Sequence, residues 1–170
     1  MINKIKKIKL LVMDVDGVLT DGKIIYDGDG KEIKVFNVQD GYGLVLFQKM
    51  GLKTAILSAR SAPAVTTRMK DLKITKIYQD AYPKMGTYKK ILKELKVKED
   101  EVCFVGDDLP DLPVLKRVGF AVAVKNAAPE LKRHADYVTR KKGGQGAVRE
   151  VVELILKKKG LWRKIIATYI

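Results

Sequence analysis

Ile8-Lys9-Leu10-Leu11-Val12-Met13-Asp14-Val15-Asp16-Gly17-Val18-Leu19-Thr20-Asp21-Gly22 is an apolar run that stops at two carboxylates. Residues 8–13 read as a buried strand, because the run has one lysine and no turn former. Asp14 and Asp16 follow two apart. If strand geometry continues, their side chains project to one side, about 7 Å apart. Asp-x-Asp-Gly alone is a weak motif, since an aspartate at a strand end is commonly a turn or helix cap. Its meaning depends on what the rest of the chain brings beside it.

Outward from this strand, short apolar runs alternate with stretches of helical period. Strands are expected at 53–57, 76–78, 101–105, 120–124 and 137–138. Helices are expected at 41–50, 62–72, 84–95, 110–117, 129–134 and 146–158. In 84–95 the apolar residues Met85, Tyr88, Ile91, Leu92 and Leu95 fall at helical spacing. Gly51 closes the first helix, and Pro110 suits the first turn of another. The alternation predicts an α/β fold, a Rossmann-like parallel sheet with helices on both faces. Residues 23–36 depart from it. Ile24, Ile25 and Tyr26 precede Asp27-Gly28-Asp29-Gly30, and Ile33, Val35 and Phe36 follow, which predicts a β-hairpin insert. That insert is an accessory to the α/β core.

Length and composition set bounds. A chain of 170 residues, 46% hydrophobic and 32% charged, fits one folded domain. The net charge of +14 has two readings: attraction to anions such as phosphorylated metabolites, or a lysine-rich solvated surface. Aromatic and basic residues do not alternate, so no nucleic-acid partner is expected. His134 is the only histidine, which excludes a metal motif with two histidines. Cys103 is the only cysteine, so there is no intrachain disulfide. It sits in an apolar run and reads as a buried small hydrophobe. No run has the roughly 18 apolar residues of a membrane span. Asp14 and Asp16 interrupt the basic-then-apolar start too early for a signal peptide. No membrane association and a cytoplasmic location are expected.

Ligands of open parallel sheets bind beyond the carboxyl ends of the strands. Here those ends carry Asp14 and Asp16, then Ser58, Ala59 and Arg60, then Lys84, then Asp107, Asp108 and Asp111. Carboxylates without histidine or thiolate suit a hard cation, with magnesium as the expected ion. Without a cation they repel one another. Asp111 also has a simpler reading, as a first-turn residue favoured by the helix dipole.

The order Asp14-Val15-Asp16-Gly17-Val18-Leu19-Thr20-Asp21-Gly22, Ser58, Lys84, Gly106-Asp107-Asp108-Leu109-Pro110-Asp111 resembles the haloacid dehalogenase superfamily. The small insert and the tail Gly143-Gly144-Gln145-Gly146-Ala147-Val148-Arg149-Glu150 resemble its cap-less subfamily of 3-deoxy-D-manno-octulosonate 8-phosphate phosphatases. Two positions depart from the wider pattern. Ala59 stands where Gly is common, and Pro83 precedes Lys84 where Asn or Asp is expected.

The resemblance implies a magnesium-dependent phosphomonoesterase of lipopolysaccharide precursor synthesis, occupying residues 1–159, with 160–170 as a C-terminal extension. It implies Asp14 as nucleophile and Asp16 as acid and base, with Lys84 as a fixed charge. Magnesium would be held by Asp14, the Asp16 carbonyl and Asp107, with Asp108 and Asp111 behind them. Ser58, Ala59 and Lys84 would bind phosphate along with Asp16. Arg60 and Arg68 are candidates for a sugar-acid carboxylate, and Arg68 equally reads as half of a surface ion pair. The resemblance further implies a homotetramer joined through the hairpins, against which stands core packing of the hairpin within one subunit. The Gly-rich tail is expected to be flexible. Deletion after Thr139 is expected to cost activity more than stability. Other readings are a nonulosonate 9-phosphate phosphatase, another sugar-phosphate phosphotransferase, or a non-enzymatic binding module, which would leave the aspartates unexplained.

Overall fold

Leu10, Leu11, Val12 and Met13 are all wholly buried and form the centre of the sheet. The computed structural model describes residues 2–170. In chain order the elements are α1 (Ile2–Lys7), β1 (Leu10–Met13), β2 (Ile25–Tyr26), β3 (Glu32–Ile33), α2 (Val38–Lys49), β4 (Lys53–Leu57), α3 (Pro63–Asp71), β5 (Ile77–Tyr78) and α4 (Lys84–Leu95). They continue with β6 (Val102–Gly106), α5 (Leu112–Leu115), β7 (Phe120–Ala123), α6 (Pro129–Arg133), β8 (Tyr137–Val138), α7 (Ala147–Lys158) and α8 (Trp162–Ile166). Single 3-10 turns precede β6 and α5.

Six parallel strands lie in the order β5-β4-β1-β6-β7-β8. The chain builds outward from β1 in one direction, then returns and builds in the other. Right-handed crossovers therefore put the helices on opposite faces before and after the return. The packing agrees: α2 and α1 lie against α7, while α4 lies against α5. Met13 is in register with Ile56 of β4 and Val105 of β6. Asp14 thus emerges where Ser58 and Asp107 also emerge, at the point where strand order reverses.

The hairpin is present but shorter than expected, with only Ile25–Tyr26 paired to Glu32–Ile33. Ile24, Ile25, Tyr26, Ile33 and Val35 are exposed, whereas Phe36 packs on the core.

The tail corrects an expectation. Val148, Val151, Val152, Ile155 and Leu156 of α7 are buried in the main core. Asp40 of α2 starts that helix, accepting from the amides of Gly146 at 3.1 Å and Arg149 at 2.8 Å. Removing everything after Thr139 would strip a core helix, so its effect on stability would not be the lesser one. The Gly-rich segment is also tied down. Gly143 N–H donates to Asn126 Oδ1 at 2.7 Å, and Gly144 N–H to Val18 O at 3.0 Å. Beyond it, α8 folds back on α7. Ile165 is buried, and the Trp162 ring lies 5.1 Å from Lys157 Nζ and 5.7 Å from Arg149 Cζ.

Candidate active site

A cleft of about 260 Å³ opens at the carboxyl ends of β1, β4 and β6. Asp14, Asp16, Ser58, Ala59, Arg60, Lys84, Asp107, Asp108 and Asp111 all line it. Residues from four separate stretches of sequence therefore meet in one place.

Lys84, at the start of α4, is the centre of the ionic arrangement. Its side chain is wholly buried, and Nζ lies 2.8 Å from Asp14 Oδ2 and 2.6 Å from Asp111 Oδ1. Burial pulls its pKa down, but Asp111 and Asp14 together outweigh that and raise it, so it remains a cation. The other Asp111 oxygen accepts the Asp107 amide at 2.9 Å. Asp111 thus does more than favour a helix dipole: it fixes the lysine and the backbone of Asp107 together. Asp108 caps the turn instead, accepting from Leu109 N–H at 2.8 Å.

Burial raises the Asp14 carboxyl to about 6, with Asp111 adding to the shift and Lys84 opposing it. Asp107 rises to about 8, chiefly through burial, then through the charges of Asp111, Asp14 and Asp108. Such shifts mark carboxylates gathered for a cation. Oxygens of Asp14, Asp107 and Asp111 lie within 4.8 Å of one another. An all-oxygen set fits magnesium. Asp111 already serves Lys84 and the Asp107 amide, so Asp14 and Asp107 have the freer oxygens for a cation.

Backbone packing keeps these groups close. Gly17 has φ +80°, and a Cβ there would collide with the Asp107 carboxylate. The Gly17 carbonyl accepts from Asn126 Nδ2 at 3.1 Å, tying this loop to the end of β7.

Ser58 is buried, and its Oγ accepts the Arg60 amide at 3.2 Å. That leaves the hydroxyl hydrogen free to donate. Arg68 stands apart from the other predicted residues. It packs where a Cβ of Gly41 would lie, and it lines a different groove with Lys31, Glu32 and Lys34.

Four residues near the site escaped the sequence reading. Lys34 and Glu32, from the hairpin, form an ionic group with Asp16 and Arg60. Their alternation with Ile33 and Val35 reads only as a strand with one polar face. Asn126 follows β7, and the strand-end rule that found Ser58 could have found it. Asp40 looked like an ordinary polar helix residue.

Residues 67–151 match the model of the haloacid dehalogenase-like hydrolases. The chain is 45% identical over 159 residues to 3-deoxy-D-manno-octulosonate 8-phosphate phosphatase KdsC of Escherichia coli K12, covering 94% of this chain and 85% of that protein. It superimposes with a TM-score of 0.97 and 43% identity on the phosphatase of that name from Moraxella catarrhalis, solved with magnesium, phosphate and KDO; the match covers 99% of this chain and 97% of that one. The cobalt-bound enzyme of Haemophilus influenzae gives a TM-score of 0.89 at 36% identity, covering 92% of each chain. With this likeness along nearly its whole length, the chain belongs to the haloacid dehalogenase-like hydrolases, in the branch of the 3-deoxy-D-manno-octulosonate 8-phosphate phosphatases.

Proposed function

We propose that the protein hydrolyses 3-deoxy-D-manno-octulosonate 8-phosphate to the free sugar acid and phosphate, in lipopolysaccharide precursor synthesis, with magnesium as cofactor. The observation that carries this is Asp14 Oδ2 held 2.8 Å from the buried Lys84 ammonium, at the strand ends where Asp107 also emerges. The named relatives support the choice of substrate.

Asp14 attacks phosphorus and forms a phosphoaspartate, dividing one difficult displacement into two. Asp16 gives a proton to the departing sugar oxygen and then takes one from the attacking water. Lys84 holds Asp14 in line and balances charge, and the Ser58 hydroxyl and Ala59 amide bind phosphate oxygens. The Asp14 and Asp107 side chains and the Asp16 carbonyl would hold magnesium, which would supply positive charge to offset the phosphate facing an anionic nucleophile. We assign the sugar-acid carboxylate to Arg60, which lines the cleft, rather than to Arg68, which lines a separate groove.

We take 1–159 as the catalytic domain and 160–170 as its extension. The exposed apolar hairpin residues favour a homo-oligomer, a tetramer by likeness to the subfamily. Light scattering that finds only monomer would refute that assembly. Among the described residues no helix is long and apolar enough to cross a membrane. A buried free cysteine suits a reducing compartment, and we assign the protein to the cytoplasm.

The test is phosphate release from a panel of sugar phosphates, with and without magnesium, for wild type and Asp14→Asn. Activity on the eight-carbon sugar acid should be greatest, depend on magnesium and vanish in Asp14→Asn. Activity that survives the substitution would overturn the mechanism.

A further inference from the structure

Lys34 lies one residue beyond β3, and its side chain is only 2% exposed. Its ammonium meets Asp16 Oδ1 at 2.5 Å and Glu32 Oε1 at 2.8 Å. The same Glu32 oxygen accepts from Arg60 Nη2 at 3.1 Å, while Arg60 Nε stands 3.7 Å from Asp16 Oδ2. A buried ammonium is strongly unfavourable unless paired, so the tie to these two carboxylates is specific. Lys34 does not line the cleft, and its ammonium is engaged by Asp16 and Glu32. Whatever it does for the reaction, it does through Asp16.

We infer that Lys34 is a positioning residue for Asp16, holding one carboxyl oxygen so that the other is presented to the cleft. An ammonium group has only donors to offer. It therefore ties up Oδ1 and leaves Oδ2 as the oxygen open to the reaction. That oxygen faces Arg60, which lines the cleft beside Asp16. As the phosphorus–oxygen bond breaks, its electron pair stays on the sugar oxygen and the Oδ2 proton moves there. Asp16 is left as a carboxylate still held by Lys34. When water attacks the phosphoaspartate, Oδ2 takes a proton from it. Oδ1 stays fixed in both halves, so the carboxyl cannot rotate away. Glu32 steadies Lys34 from the other side, and the hairpin thereby supplies the orientation of the acid.

This inference rests on the proposed role of Asp16, and the experiment separates the two. The ratio kcat/KM reports events up to departure of the leaving group. A sugar oxygen needs a proton to leave, whereas p-nitrophenolate does not. Lys34→Met should lower kcat/KM on the sugar phosphate by about 10- to 100-fold, a share of the usual general-acid contribution, and alter it on p-nitrophenyl phosphate by less than about 3-fold. In an Asp16→Asn background the same change should add less than about 2-fold, because both residues act as one unit. Glu32→Gln keeps the lysine and should give a smaller loss with the same selectivity. It decides the matter if Lys34→Met fails to fold. Equal losses on both substrates, or no loss on the sugar phosphate, would overturn the inference. If Asp16→Asn itself lacks leaving-group selectivity, the role of Asp16 as acid has failed instead.

Discussion

Lys84 and Asp111 form an ion pair of 2.6 Å in which the lysine side chain is wholly buried and the aspartate is 1% exposed. Two functions meet in that pair: it holds the ammonium against Asp14, and it fixes the backbone of Asp107 through the second Asp111 oxygen.

Asp111→Ala should therefore damage both the fold and the reaction. Stripping a buried charge of its partner costs about 3–5 kcal/mol, and the loss here should fall toward the lower end because Lys84 keeps Asp14 at 2.8 Å. In a chain of this size each kcal/mol lowers the melting temperature by roughly 2–4 °C. Turnover should fall at least about 10-fold even where the variant is folded, since the Lys84 charge loses its anchor. A variant that melts like wild type would show the pair to be dispensable.

The raised carboxyls predict how metal-free stability depends on pH. Asp14 moves from 3.8 to about 6 and Asp107 from 3.8 to about 8. Between about pH 4 and 8 the native state thus binds more protons than the unfolded state, and stability falls as pH rises through that window. Glu32, held low chiefly by its hydrogen bond to Lys34, acts in the opposite sense, its stabilisation fading as pH falls. Magnesium competes with those protons, so the melting-temperature gain it gives should grow from pH 5 to pH 8. Asp107→Asn should flatten both trends. Melting curves in chelator and in saturating magnesium test this, and a metal-induced gain independent of pH would contradict it.

Gly143→Ala tests the seating of the tail on the Asp14 loop. A Cβ there would run into the Gly17 carbonyl. Overpacking of this kind costs about 1–3 kcal/mol, and it should shift the loop that carries Asp16, lowering kcat as well. Gly28→Ala, with open space around its Cβ, should stay within about 0.5 kcal/mol of wild type. Equal effects from the two changes would refute the packing argument.

Truncation after Lys159 should separate stability from activity. It removes the buried Ile165 and the Trp162 ring from beside Lys157 and Arg149. Burial and cation–π terms suggest a loss of about 2–4 kcal/mol. No residue of 160–170 lines the cleft, so phosphate release per folded molecule should hold. A large drop in turnover without a drop in melting temperature would assign the extension a part in the reaction.

The strand ends were legible because a parallel sheet collects polar residues at one rim. Asp14, Ser58, Lys84 and Asp107 could all be named from their positions after apolar runs. Boundaries were less legible. Helix α2 begins at Val38 rather than near Gly41, because Asn37 Oδ1 accepts from the amides of Gln39 and Asp40. Gly41 and Gly43 obscured that start, and the space they leave is filled by Arg68 and Arg149. Arg68 was a site candidate on charge alone, and only tertiary packing reveals what it touches. Lys34 was beyond reach for a similar reason. Its partner Asp16 is 18 residues away across a hairpin whose fold back onto β1 has no local signature. Helices α1 and α8 were missed too, being short and held mainly by Ile5 and Ile165 packing into the core.

The central position of β1 has a consequence for the newly made chain. Its partner β4 begins at Lys53, and its other partner, β6, begins only at Val102. Asp14 leaves the ribosome some ninety residues before Asp107, roughly 5–20 s at ordinary rates of synthesis. Throughout that interval the first strand has no neighbour on one side, and its four apolar residues need shelter. A chain stalled before Gly106 should carry Asp14 and yet release no phosphate, and it should be a good client for a chaperone that binds short hydrophobic segments.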